Sequence, residues 1–180
     1  MKQAKLVMLL AVMVLTVTSC KKDDDGNGEF SLNLENFAGT YKITSYSEVI
    51  NDHDIDGTTV INTTTTSVGS DFVGTLVFNA NGTYVMDVEF TLDETVVVDN
   101  GTPVNDVYYD FIDFSGNYTI DVANETLTIN YIYDGVPEML TYDIVNFNET
   151  SATIKFEDIN DNPSNGNTYE YVTTITFVRQ

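Results

Sequence analysis

The sequence predicts an all-β protein of about eight to ten antiparallel strands, joined by hairpins and arranged as an up-and-down barrel or a two-sheet sandwich. Three observations predict it. From Gly39 onward, apolar and polar residues alternate in run after run, the period of a strand with one buried face. Each run stops at turn chemistry: Asn79-Ala80-Asn81-Gly82, Asn100-Gly101 and Asp134-Gly135 supply residues that tolerate positive φ, as tight hairpins require. No amphipathic helix of useful length interrupts the series.

Taken in order, residues 31–38 form a short turn, and the first strand begins with Tyr41 and Ile43 on one face and Lys42 and Thr44 on the other. Residues 51–57 read as a polar loop, and the Thr-rich residues 58–67 as an exposed strand. Phe72, Leu76 and Phe78 share a face, as do Tyr84, Met86, Val88 and Phe90. Residues 107–114 carry aromatics on both faces, Tyr109 and Phe111 on one, Tyr108 and Phe114 on the other. A strand apolar on both faces is usually covered on both, which is the expectation here; the alternative is an aromatic contact patch for a partner or a sugar. Tyr118, Ile120 and Val122 mark the next run, then Leu127, Ile129, Tyr131 and Tyr133, then Leu140, Tyr142 and Ile144. Hairpin loops follow at Asn124-Glu125 and at residues 146–150, and Ala152, Ile154 and Phe156 form a further face. Residues 158–167 read as a second polar loop before the last strand, with Tyr171, Ile175 and Phe177 inward. Short connections make sequence neighbours pair antiparallel, and closure removes the edges that so large a sheet would expose.

The first twenty residues have a different character. Lys2 and Lys5 precede an uncharged, mostly apolar run from Leu6 to Val17, too short for a spanning helix, which needs about 20 residues. The run fits the apolar core of a secretory signal. Val17-Thr18-Ser19-Cys20 resembles the lipobox of bacterial lipoproteins, in which the signal is cut before the cysteine and that cysteine is lipidated. Lys21-Lys22-Asp23-Asp24-Asp25 resembles the surface-export signal of Bacteroidetes-type lipoproteins. Residues 1–19 are therefore expected to be a lipoprotein signal peptide, and residues 20–35 a lipidated cysteine with an acidic, flexible tether. The implied location is the outer membrane, lipid-anchored and facing the exterior. Two acyl chains already anchor stably. Cys20 is the sole cysteine, so no disulfide can form.

From Phe30 on, 24 acidic residues face only Lys42, Lys155 and Arg179, a net charge of −21. Such a surface repels nucleic acid and anionic headgroups and attracts divalent cations or basic partners.

Several stretches of residues 36–180 resemble bacterial lipocalin-like domains. Asn36-Phe37-Ala38-Gly39-Thr40-Tyr41-Lys42-Ile43 resembles their opening, where a short turn leads into Gly-x-Trp, here with Tyr41 in place of Trp. The hairpin Leu76-Val77-Phe78-Asn79-Ala80-Asn81-Gly82-Thr83-Tyr84, the pair Gly116-Asn117-Tyr118 and Leu127-Thr128-Ile129, and the closing Thr174-Ile175-Thr176-Phe177-Val178-Arg179 are similar too. The resemblance implies one lipocalin-like barrel over residues 36–180. It also implies that Arg179, on the parity of Ile175 and Phe177, closes one end against Tyr41.

Candidate chemistry is sparse. Asp52, Asp54, Asp56 and Gly57 have the D-x-D-x-D-G spacing of the first half of a calcium loop. The twelfth position is Thr63 rather than Glu, and flanking helices are missing, so an EF-hand is excluded. No cofactor is expected beyond weak Ca2+ binding at those aspartates, and the alternative is a solvated turn. His53 is the only histidine and no nucleophile motif accompanies it, so no enzymatic activity is expected. Two functions remain: an accessory or interaction protein with a protein partner, or a carrier of a small apolar ligand. Ten large residues are assigned to the interior: Phe72, Phe78, Tyr84, Phe90, Tyr118, Tyr131, Tyr142, Phe156, Tyr171 and Phe177. An eight-stranded barrel is just wide enough to be filled by side chains or to hold one small ligand, and ten aromatics favour a largely filled one.

Overall fold

A computed structural model describes residues 30–162 and 167–180. The signal peptide, Cys20 and the tether up to residue 29 lie outside the described residues. A single-turn helix, α1 (Leu34–Phe37), precedes eight strands: β1 (Gly39–Asp56), β2 (Thr59–Phe78), β3 (Thr83–Val98), β4 (Val104–Asp121), β5 (Thr126–Tyr133), β6 (Val136–Phe147), β7 (Ser151–Asn162) and β8 (Asn167–Arg179). They form a closed barrel in chain order, every pair antiparallel, with β1 bonded to β8. The fold is therefore an all-β, up-and-down barrel, consistent with a lipocalin-like one.

Two polar stretches read as loops are strand. Asn51 to Asp56 continue β1, paired with β2 from Asn51↔Thr64 to Asp56↔Thr59, so only Gly57 and Thr58 turn. Gly57 has φ 64°, the left-handed conformation that such a turn needs. Likewise β7 runs to Asn162 and β8 starts at Asn167. Asp and Asn disfavour strands by propensity, but the ladders override it: β2 and, as far as His53, β8 for residues 51–56, and β8 alone for the end of β7.

The register breaks where β1 leaves the tightly packed part of the barrel. Ile43 pairs with Phe177, yet Ser45 pairs with Thr176, so β1 carries one extra residue. Such a bulge flips the face of everything beyond it. Before it Tyr41 and Ile43 point inward; after it Tyr46, Glu48, Ile50 and Asp52 do. A second break in β2, between Ser70 and Val73, matches it on the other side.

The core fills the lower half of the barrel. Tyr41, Leu76, Phe78, Tyr84, Val88, Tyr118, Leu127, Ala152 and Phe177 are almost wholly buried. α1 delivers Phe37 into the end of this core. Asn33 caps the helix, its Oδ1 accepting from Asn36 N at 2.8 Å. Phe37 is fully buried, with ring centroids 4.9 Å from Phe78, 5.5 Å from Phe147 and 6.2 Å from Tyr41. The outer face is different. Tyr109 and Phe111, expected to be covered, are 65% and 68% exposed, because no described element packs outside β4.

Phe37→Ala leaves a void that rigid strands cannot collapse. It is expected to lower the unfolding free energy by about 3–5 kcal/mol, read as a fall in the urea midpoint at unchanged slope.

Candidate functional site: a tyrosine-lined cup

The two ends of the barrel are built differently. At the α1 end Arg179 is locked in place. Its Nη1 donates to Ala38 O at 2.8 Å, and its Nη2 donates to Tyr41 OH at 2.7 Å and to Asn36 O. These carbonyls close α1, where a cation complements both the unsatisfied acceptors and the helix dipole. The guanidinium also stands over two rings, 5.0 Å from the Tyr41 centroid and 5.8 Å from Phe30. Tyr41 OH in turn donates to Phe37 O at 2.8 Å. Gly39 leaves room for all this, since a Cβ there would come within 2.6 Å of Arg179 Nη1. Burial raises the pKa of Tyr41 and the nearby Arg179 charge partly offsets it.

Towards the other end the interior opens in two steps. Between Ile43, Leu76, Phe78, Leu127 and Phe177 only about 20 Å³ is free, so the lower barrel is filled. Above it lies a cavity of about 180 Å³. Met86, Ile112, Ile129, Leu140 and Ile175 give it an apolar floor, and Tyr46, Phe114, Tyr131, Tyr142 and Tyr171 line its sides. No described element crosses the barrel above it. The ten residues assigned to the interior all lie on the inner side of their strands, and four of them, Tyr84, Tyr131, Tyr142 and Tyr171, line this cavity.

Glu48 stands beside the cup behind two of its lining tyrosines, half-buried, on the inner face created by the β1 bulge. Tyr46 OH and Tyr171 OH both donate to its Oε2, each at 2.7 Å. Its row continues around the barrel: Thr173 and Ser67 pair with Glu48 on either side, and Ser67 pairs with Glu94. Burial and the Glu48 carboxylate push the Tyr46 hydroxyl far above its ordinary value. Tyr171 rises to about 12, from burial first and then from its hydrogen bond with Glu48. Tyr84, at the cavity's base, rises to about 12 through burial and its proximity to Tyr131.

The three aspartates singled out in the sequence run along one face of β1 rather than around a loop. Asp52 is opposite Thr63 and Tyr169, and its charge joins those of Glu48 and Asp158 in raising the Tyr169 pKa, after burial. Asp54 and Asp56 continue beyond it toward the hairpin tip, both exposed. Alternate strand positions lie about 6.6 Å apart, too far for all three to coordinate one ion without help from other elements. Among the described residues no group of three or more His, Cys, Asp or Glu gathers as a metal set. His53 faces away, its Nδ1 2.7 Å from Asn62 Oδ1. Glu48 and Tyr46 were not legible as site residues, because simple alternation from Tyr41 puts both on the outside.

A scan against protein-family models finds no match, and a search of curated proteins finds no significant relative.

The buried tyrosines make the fold sensitive to alkali. An ordinary tyrosine loses its proton near pH 10, whereas Tyr84, Tyr118 and Tyr171 hold theirs to about 12. Stability is complete below pH 10 and falls as pH rises toward 12, because only the unfolded chain releases these protons in that window. The urea midpoint is expected to be flat from pH 7 to 9 and to drop steeply above 10. Tyr84→Phe, which removes a hydroxyl with no hydrogen-bond partner, should change stability at pH 7 by less than about 1 kcal/mol and lessen the drop.

Proposed function

We propose that this chain is a non-enzymatic binding module of the lipocalin-like kind, tethered to the outer membrane through Cys20 and facing the exterior, which holds one compact ligand in the cup. The observation that carries this reading is the sharp division of the interior: about 20 Å³ free below and about 180 Å³ above, on the side away from the Arg179 closure. A barrel that served only to display loops gains nothing from a void, since each unfilled pocket sacrifices packing. Aromatic walls with a few hydroxyls are the lining that ligand sites use. The volume is below the roughly 300 Å³ of the smaller drug-sized sites, so the ligand is a single ring or a short chain rather than a fatty acid. A second reading, an accessory role with a protein partner, is favoured by the exposed outward Tyr109 and Phe111 on β4.

Two measurements test the proposal. With an acyl label, wild-type protein should be labelled and sediment with membranes, and Cys20→Ser should be unlabelled and soluble; a labelled, membrane-bound Cys20→Ser protein overturns the anchor. Saturation-transfer NMR with a small aromatic such as benzyl alcohol should show contact with the full chain. Leu140→Trp, which fills the cup, should abolish that contact; contact that persists undiminished places the ligand elsewhere.

A further inference from the structure

We propose that the ligand of the cup is a compact organic amine, its ammonium group held by Glu48 and its apolar body by the surrounding aromatic rings. This inference rests on the cup being a ligand site and names the chemical class that it selects.

Among the described residues Glu48 has no cationic partner. Of the basic residues after Phe30, Lys155 pairs with Glu157, and Arg179 is bonded to Ala38 and Asn36 at the opposite end. Lys42 lies on the outer face of β1, exposed, before the bulge. A half-buried carboxylate without a counter-charge is costly unless something supplies one. Both tyrosine hydrogen bonds go to Oε2, and Oε1 receives none among the described residues. The two tyrosines thus fix the carboxylate's orientation and leave one oxygen for a donor that the chain does not provide.

The surroundings point the same way. Tyr84 and Ser67, each 1% exposed, and Thr173, 4% exposed, carry hydroxyls with no hydrogen-bond partner. Thr173 Oγ1 is close enough to the Tyr171 hydroxyl to influence it without a hydrogen bond of ordinary geometry. Tyr84 and Thr173 line the cavity, and Ser67 stands directly across from Glu48. Buried hydroxyls are rarely left unpaired; Ser67 and Thr173 flank Glu48 in the ladder and Tyr84 stands at the cavity's base, three groups whose hydrogen-bonding capacity the described residues leave unused. An ammonium offers three donors, and one carboxylate oxygen plus hydroxyl acceptors matches that count.

Further acids on the inner parity deepen the negative field: Glu94 and Asp110 act on Tyr108, and Asp52 and Asp158 on Tyr169. Carboxylate and phosphate ligands are repelled, and the ring faces of Tyr46, Tyr131 and Tyr171 favour a cation further. A divalent metal fits less well. Calcium takes six to eight oxygens, several of them carboxylate, whereas no carboxylate lines the cavity itself and Glu48 adjoins it through Tyr46 and Tyr171.

The experiment is titration calorimetry on the full chain carrying Cys20→Ser, with benzylamine, benzyl alcohol and benzoate as three probes of one shape. Benzylamine is expected to bind at least about tenfold more tightly than benzyl alcohol, as a charge-assisted hydrogen bond implies, and benzoate not to bind measurably. Glu48→Gln should bring benzylamine down to the alcohol. Tyr171→Phe, which keeps the carboxylate and loosens its orientation, should weaken benzylamine severalfold while preserving its advantage. Urea midpoints of both variants show that the barrel is intact. Equal affinity of amine and alcohol overturns the amine and leaves the cup standing as a ligand site. No binding of any probe overturns both. Heat from calcium that depends on Glu48, with none from benzylamine, overturns the amine in favour of a metal.

Discussion

The bond between the first strand and the last is the constraint from which the rest of this molecule follows. Pairing β1 with β8 leaves no sheet edge at the ends of the chain, and it sets Tyr41 opposite Arg179. From that position the guanidinium reaches back over α1 and ties its carbonyls, so the same ladder that closes the wall also seals one end. With α1 held, Phe37 becomes part of the core rather than part of a loose segment. Wall, seal and plug are one cooperative unit, and the packing of the lower barrel depends on all three.

Closure also dictates where the interior can be polar. The bulge in β1 falls where the filled core ends, and by reversing the strand's facing it sends a carboxylate inward instead of a serine or valine. A fold this acidic has no shortage of carboxylates on its outside, where water screens them cheaply. Turning Glu48 inward, against tyrosines and away from the lysines and arginine among the described residues, runs against that economy. Such departures from the least costly arrangement are where function is usually found.

The eight strands and the inner aromatics were legible because period-2 alternation is a direct record of burial. Phe78, Tyr84, Tyr118 and Phe177 sit where that pattern puts them. The pattern failed wherever facing changed without a change in composition. A single extra residue between Ile43 and Ser45 leaves no trace in the letters, so Tyr46 and Glu48 read as outward-facing. Residues 51–56 failed for another reason: aspartate and asparagine signal a loop locally, and only pairing with distant β8 and with β2 makes them strand. Tyr109 and Phe111 show the limit of burial logic, since an aromatic outer face reads as a covered one, whereas none of the described elements covers it.

The barrel wall is not equally tied all round. β5 is the shortest strand, and β4 pairs with β5 only from Asn117↔Asn130 downward, while β6 pairs with β7 only from Asp143↔Lys155 downward. Above those points the β5–β6 hairpin, turning at Asp134 and Gly135, is bonded only to itself. Hydrogen bonds within a lone two-strand ribbon open far more readily than those in a ladder flanked on both sides. Amides from residue 131 to 139 should therefore exchange with solvent well before those of β1, β2 and β8. Tyr131 and Leu140 lie on this hairpin, so a self-bonded part of the wall is also a part that borders the cup.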